Sequence, residues 1–330
     1  MDAWASQIKN HIFLVTGAAG FIGFHVARAL LARGARVVGL DNFNDYYSPA
    51  LKKARDRELR RQARFTSVAG DLTDLAGLQA LFQAHNPQKV CHLAAQPGVR
   101  YSLRNPFAYQ KANLEGFLNL LEVAKGSGVE RFVYASSSSV YGGVTELPFA
   151  ETQRVDAPIS LYAATKRAGE LMAHVYTHLF GMATVGLRYF TVYGPWGRPD
   201  MALWLFAEAM LQGRPIKVFN YGDMQRDFTY IDDAVQGTLA ALMTPGLDPY
   251  EIINLGNHRP EPLAKVIALL EEALGVPAQQ ELLPLQPGDL TSTFADIRRA
   301  RAKLAFNPAT TLEEGIPRFV RWYKEYHGLL

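Results

Sequence analysis

A doubly wound parallel α/β sheet with a smaller C-terminal α/β lobe is the fold this chain predicts, and three observations predict it. Short β-branched runs alternate with amphipathic helical patterns through the first half, which is the signature of a parallel sheet covered on both faces. Each crossover between parallel strands is right-handed, so successive units wind the sheet in both directions. Beyond about residue 190 the character changes: Pro and Gly become frequent in "YGPWGRPDM", "GRPIKVFNYGD" and "LLPLQPGDL", and the strands shorten.

The strand-like runs come in order as "IFLVTG" (12–17), "ARVVGLDN" (35–42), "FTSVAGDL" (65–72), "KVCHLAA" (89–95), "RFVYASS" (131–137) and "ATVGLRYF" (183–190). Between them, "FIGFHVARALLARG", "LAGLQALFQAH", "NLEGFLNLLEVAKGSG" and "LYAATKRAGELMAHVYTHLFG" repeat apolar residues at i, i+3 and i+4. We expect residues 1–185 to form the sheet domain and 186–330 mainly a ligand-binding lobe, with some segments returning to the main sheet. The lobe would lie at the carboxyl ends of the parallel strands, where such sheets bind ligands.

Composition excludes several classes. The chain is 48% hydrophobic and 20% charged, with a formal charge of +3, which is ordinary for a globular protein. The one basic cluster, "KKARDRELRRQAR", is diluted by Asp56 and Glu58 and reads as a solvated helix face, so no nucleic-acid partner is expected. The single cysteine, Cys91, lies in the apolar string "VCHLAA" and reads as a buried, inert thiol. Only ten residues precede the run beginning at His11, and that run is too short for a signal segment or a membrane span. The expected compartment is the cytoplasm, with no membrane partner and no metal.

The stretch "TGAAGFIG" places Gly17, Gly20 and Gly23 after a strand and at the opening of a helix that begins with Phe21 and Ile22. In that context Gly17 permits a tight turn and Gly20 a close approach of backbone to a pyrophosphate at the helix N-terminus. Gly23 permits close packing of helix on sheet. Asp41 ends the next strand, eighteen residues past Gly23, where a carboxylate would accept both ribose hydroxyls and repel a 2′-phosphate. The expected cofactor is therefore NAD rather than NADP.

A second constellation lies in "YAATK". Tyr162 and Lys166 stand at i and i+4, one above the other on a helix face, and none of the other fourteen tyrosines has a lysine four residues on. A phenol ionises near pH 10, so a neighbouring ammonium and a cationic nicotinamide would be needed to bring it into range as a base. The strand "RFVYAS" delivers a hydroxyl to the same end of the sheet, the first residues of a run of four serines.

On these residues the chain resembles the extended short-chain dehydrogenase/reductase family, specifically its nucleotide-sugar epimerases. "TGAAGFIG", "DN", "GDL", "HLAAQ", "SSSSVYG", "YAATK", "LRYFTVYGP", "QRDFTYIDD" and "PGD" follow that family's order through nearly the whole chain. The resemblance implies that Ser137 shares the substrate proton, that Tyr162 is the base, and that Lys166 is its electrostatic partner and binds the nicotinamide ribose. It also implies cofactor contacts from Asn42, from Asp71 with Leu72, from Leu93, Ala94, Ala95 and Gln96, and from Asn113 and Tyr189. Asn113 equally suits a helix N-cap. At the nucleotide end, Arg226 would neutralise the diphosphate and Asp289 would bind the uridine ribose, with Arg100 a weaker phosphate candidate.

Dehydratases of this family carry an Asp-Glu pair after the catalytic hydroxyl, and the decarboxylases a Glu. In this chain Ser138 and Ser139 occupy those positions, so those two chemistries lose their acid. "DNFNDYYSPALK", "AAQPGVRYS", "TVYGPWGRPDMA" and "GDMQRDFTYIDD" look like the subgroup acting on UDP-hexuronates. The implied reaction interconverts UDP-glucuronate and UDP-galacturonate through a 4-keto sugar, with Ser138, Ser139, Thr191 and Arg198 on the substrate side. Plainer roles remain open: the serines satisfying a turn, Thr191 as a strand residue, Arg198 on a loop surface. The rival readings are an epimerase for a neutral UDP-hexose, another enzyme of the family, and a non-catalytic NAD-binding regulator. A homodimer built on helices 113–125 and 162–180 is the implied assembly.

Overall fold

The structure, a computed structural model, describes residues 5–286 and 290–329. Thirteen strands are described: β1 (Ile12–Thr16), β2 (Arg36–Asp41), β3 (Phe65–Ala69), β4 (Lys89–His92), β5 (Arg131–Ser137), β6 (Thr184–Tyr189), β7 (Thr191–Tyr193), β8 (Ile216–Phe219), β9 (Gln225–Tyr230), β10 (Tyr250–Leu255), β11 (Pro260–Pro262), β12 (Gln280–Leu283) and β13 (Ser292–Thr293). The helices are α1 (Ala5–Ile8), α2 (Phe21–Ala32), α3 (Pro49–Arg60), α4 (Leu75–His85), α5 (Pro106–Tyr109), α6 (Gly116–Lys125), α7 (Leu161–Phe180), α8 (Ala202–Leu211), α9 (Ile231–Met243), α10 (Leu263–Leu274), α11 (Arg298–Leu304) and α12 (Leu312–Tyr326).

Seven strands form one sheet in the order β10-β6-β5-β4-β1-β2-β3, every neighbouring pair parallel. The order reverses between β1 and β4, and a crevice for ligands opens at such a reversal. The expected doubly wound sheet is thus observed, extended by β10 from the second half of the chain. The lobe carries β11-β9-β13 with β7 on β9, and a β12-β8 pair.

Alternate residues of each strand enter two apolar layers. Phe13 and Val15 of β1 join one cluster, with Val133 and Val185, while Leu14 joins the other, with Val90, Phe132 and Tyr134. Burying a side chain of this size contributes about 1.5–3 kcal/mol. Cys91 is wholly buried in the first layer, and burial pushes its thiol up, as expected for an inert position. Among the described residues, no helix is long and apolar enough to cross a membrane.

Two expectations fail. Lys52 and Arg55, in the basic cluster read as a solvated face, are buried, and Arg55 is 0% exposed. The reason is visible in the spacing: Arg55 lies midway between Leu51 and Leu59, on the stripe of α3 that packs inward. Asn113 does not open a helix either. It lies inside a π-helical turn (Gln110–Glu115) that runs directly into α6, and its side chain is buried.

Candidate active site

Above the carboxyl edge of the main sheet lies a cleft of about 1090 Å³. Its floor is the turn after β1. Gly17 has φ +70°, and a Cβ there would sit 2.8 Å from the backbone nitrogen of Ala94; a Cβ on Gly23 would meet the Gly17 carbonyl oxygen at 2.0 Å. Only glycine fits either position. Helix α2 starts after Gly20 with no side-chain cap, so no side chain competes for its first-turn N–H groups.

At the end of β2, Asp41 accepts from the Ala19 amide (3.0 Å) and the Phe43 amide (2.9 Å), and burial raises its carboxyl above the ordinary range. Asn42 donates to Asp71 (2.7 Å), which also accepts from the Thr73 amide and hydroxyl. Gly17, Gly20, Phe21, Ile22 and Gly23 line the cleft, as do Asp41, Asn42, Asp71, Leu72 and the 93–95 run. An uncapped helix start, a cradle without Cβ atoms and a carboxylate at the adjacent strand end fit a dinucleotide.

The four serines divide by the alternation of β5. Ser136 has its hydroxyl committed to Glu170, to which it donates (2.6 Å). Ser137 accepts from the Ser139 amide and its hydroxyl bonds Ser139 Oγ, both at 3.2 Å. A short 3₁₀ turn, Ser138–Tyr141, then carries Ser138 and Ser139 along the cleft wall. The tract is one strand terminus and one turn, which is why it sits between apolar runs.

Helix α7 is capped by Ser160, whose hydroxyl accepts from the Ala163 amide at 3.1 Å. This fixes Tyr162 and Lys166 one turn apart over the end of β5. Lys166 donates to the Ala135 carbonyl (3.0 Å), and its Nζ lies 5.9 Å from the Tyr162 ring centre. Burial lowers the Lys166 ammonium to about 8. Burial also raises the Tyr162 phenol, against the Ser137 hydroxyl and the Arg198 guanidinium, which favour its ionised form. The neighbouring ammonium alone therefore does not acidify the phenol, in line with the expectation that a cationic nicotinamide is needed beside it. The dry setting wins, and a further positive charge is needed beside the ring.

Asn113 accepts from the Gln96 amide (2.7 Å) and donates to the Gln96 carbonyl (3.1 Å) and Thr165 Oγ (3.0 Å). Neither Gln96 nor Asn113 lines the main cleft; together they tie the 93–96 run to α7. Tyr189 lines the cleft with its hydroxyl bonded to Thr238 (2.7 Å).

On the opposite wall, Thr191 opens β7 and Arg198 projects from the following loop, both lining the cleft. Arg198 is paired with Asp200 through Nε (3.0 Å) and one terminal nitrogen (2.5 Å). Arg226 lines the far end, held by the Gln225 and Thr291 carbonyls, and Arg100 lies there over the Phe219 ring at 4.8 Å. Asp289 lies outside the described residues.

Residues 13–256 match the NAD dependent epimerase/dehydratase family. The chain belongs to that family. It is an NAD-dependent epimerase by fold and kinship, hence an isomerase. It is 48% identical to UDP-glucuronate 4-epimerase 3 of Arabidopsis thaliana, over 99% of this chain and 81% of that one. UDP-glucuronic acid 4-epimerase of Bacillus cereus, solved with UDP-glucuronic acid and NAD, superposes with a TM-score of 0.90 at 38% identity, covering 96% of this chain and 99% of that one. A UDP-glucose 4-epimerase of Thermotoga maritima, solved with UDP-glucose, superposes with a TM-score of 0.87 at 31% identity, over 96% and 99%.

Sequence reasoning missed three groups. Glu170, 0% exposed, collects Ser136, Arg167 (3.0 Å) and the Nε and Nη2 of Arg188 (2.8 and 2.9 Å). Its signal was a glutamate four residues after Lys166 on a buried helix face. Asp200 and Tyr46 complete the Arg198 wall, with Tyr46 donating to Asp200 at 2.9 Å; no spacing joins residues so far apart in sequence. Arg55 was hidden inside a charge run.

Proposed function

We propose that this chain interconverts UDP-glucuronate and UDP-galacturonate by inverting C4. The observation that carries the reading is the lining of the cleft around Tyr162: a guanidinium, Arg198, hydroxyls at Ser138, Ser139 and Thr191, and no carboxylate at the two positions after Ser137. A guanidinium among hydroxyls suits a sugar carboxylate, and charge-assisted hydrogen bonds there are short and directional. A neutral hexose offers C6 no such charge, so the relative that binds UDP-glucose is the weaker guide to substrate.

Tyr162, assisted by Ser137, takes the proton from the C4 hydroxyl and returns it after the sugar presents its other face. The Gly17–Gly23 turn, Asp41 and Lys166 would hold NAD, which when bound would supply the hydride acceptor and the positive ring charge that favours the phenolate. The 4-keto sugar beside a C5 carboxylate is a β-keto acid, and it loses carbon dioxide when the carboxylate bond aligns with the carbonyl π system. Arg198 with Thr191 and Ser138 holds the carboxylate out of that alignment. With no acid at Ser138 or Ser139, those positions offer no proton to the enolate that such a loss would leave. Arg226, at the far end of the cleft, would neutralise the diphosphate; the uridine ribose is the role the family resemblance implies for Asp289, outside the described residues.

A homodimer is part of the proposal. Leu118 on α6 and Leu171, Val175, Leu179 and Phe180 on α7 are exposed, a run of apolar side chains that suits packing of these two helices against a second copy.

The test is purified protein with UDP-glucuronate and no added nucleotide. Formation of UDP-galacturonate supports substrate and retained cofactor together. Conversion of UDP-glucose but not UDP-glucuronate would transfer the assignment to a neutral-sugar epimerase.

A further inference from the structure

Arg55 is an unusual buried charge. Its hydrogen bonds go to carbonyls and one phenol: Nη1 donates to Ala19 O (2.9 Å) and Tyr47 Oη (2.8 Å), and Nη2 donates to Trp196 O (2.6 Å) and Gly197 O (3.0 Å). Among the described residues its Nε has no partner and no carboxylate pairs with it, so its burial is not repaid by an ion pair. What it does instead is span two loops. Ala19 belongs to the glycine-rich turn, where its amide donates to Asp41. Trp196 and Gly197 immediately precede Arg198.

The loop that carries Arg198 needs holding. Trp196 has φ +60°, a left-handed conformation that a bulky side chain adopts only when its surroundings enforce it. Three restraints do so. Arg55 takes its carbonyl, His25 of α2 donates to the Pro195 carbonyl (2.8 Å), and the indole packs on Phe24 (5.2 Å) and Trp322 (5.3 Å). The side chain of Arg198 is restrained from the same direction. Tyr46, in the segment between β2 and α3, donates to Asp200 Oδ2 (2.9 Å), the oxygen that Arg198 also engages. Asp200 thereby holds Nε and Nη2 of Arg198, and no group among the described residues bonds its Nη1. A planar fork fixed on one edge presents its other nitrogen in a set direction.

We propose that Tyr46 and Arg55 are positioning residues that set carboxylate selectivity: the β2–α3 segment and α3 itself, rooted in the dinucleotide half beside Asp41, aim Arg198 at the sugar acid. Arg55 fixes the backbone under Arg198, and Tyr46 fixes the Asp200 carboxylate that orients its side chain. The inference rests on the uronate reading above. Arg55 also braces Ala19 in the glycine-rich turn, an effect common to both sugars, so the part of each residue's effect that separates the two ligands passes through Arg198.

The test compares UDP-glucuronate with UDP-glucose as ligands of the protein purified with its retained cofactor, by calorimetry, in wild type, Tyr46→Phe and Arg55→Lys. Losing one ordinary hydrogen bond from the restraint on Arg198 costs about three- to tenfold in affinity. The expected result is a three- to tenfold weakening for UDP-glucuronate in each variant, a change under twofold for UDP-glucose, and a larger fraction of UDP-pentose and carbon dioxide in the products. Equal weakening for both ligands, or none for either, overturns the proposal, because a merely structural role does not distinguish the sugars. Should Arg55→Lys fail to fold, Tyr46→Phe, which deletes one oxygen, decides alone. A wild type that does not prefer UDP-glucuronate removes the uronate reading itself; a wild type that prefers it, with variants that keep the preference, removes only this inference.

Discussion

Replacing Glu170 by Gln is expected to lower the unfolding midpoint by about 6–10 °C at pH 7. Glu170 is fully buried and, among the described residues, is the only carboxylate bonded to Arg188, itself 2% exposed. Arg188 already has one buried nitrogen, Nη1, without a partner. Removing the charge leaves a buried guanidinium uncompensated, and breaking such a pair costs about 3–5 kcal/mol. In a chain longer than 250 residues each kcal/mol moves the midpoint by about 2 °C. The pH dependence follows from the depressed Glu170 carboxyl: burial works against its ionised form, but Arg188, Ser136 and Arg167 more than offset it. A carboxyl depressed on folding contributes its stability above its unfolded pKa, about 4.3–4.5, and loses it as pH falls through the lower folded value. The gap between wild type and variant is therefore full at pH 7 and narrows below about pH 4.5. Thermal unfolding at matched cofactor content and scan rate, from pH 7 to pH 4, measures it. A midpoint within 1 °C of wild type at pH 7, or a gap that widens on acidification, refutes the reasoning.

Three further outcomes are expected. Asp200→Asn frees Arg198 from its bidentate partner, so KM for UDP-glucuronate rises about tenfold in initial-rate assays, while binding of UDP alone is unchanged. Asp41→Ala removes the acceptor at the end of β2, and the NAD that co-purifies with the protein, measured after denaturation by absorbance, falls several-fold. Gly23→Ala drives a Cβ into the Gly17 carbonyl, and circular dichroism on denaturant titration should show a loss of about 2 kcal/mol or more with poor cofactor retention.

What could be read from residue order was the part governed by short-range rules. Alternation and helical periodicity place six parallel strands to within about three residues, and the Gly17–Gly23 turn and Asp41 fall together on the cleft because each directly joins the end of a strand. The same rules could separate Ser136 from Ser137 only once β5 was known to end at Ser137, since one residue of register exchanges the faces. The restraints on Arg198 were out of reach. Tyr46 lies 154 residues from Asp200 and Arg55 141 from Trp196, and tertiary packing alone brings them together. Arg55 also shows how charge misleads. A basic run looks solvated, yet one member on the apolar stripe of α3 is the most deeply buried cation near the site. For Tyr162 the sequence shows the ammonium four residues away but not the extent of the desolvation that opposes it.

Oxidation and re-reduction of one carbon in place is best tested by isotope. UDP-glucuronate carrying deuterium at C4, turned over by the purified protein in ordinary water without added nucleotide, should yield UDP-galacturonate that retains the label at C4 in full by NMR and mass spectrometry. Loss of the label to solvent would show that C4 is inverted by exchange of a proton, and would contradict a hydride cycle run by Tyr162, Lys166 and the dinucleotide crevice.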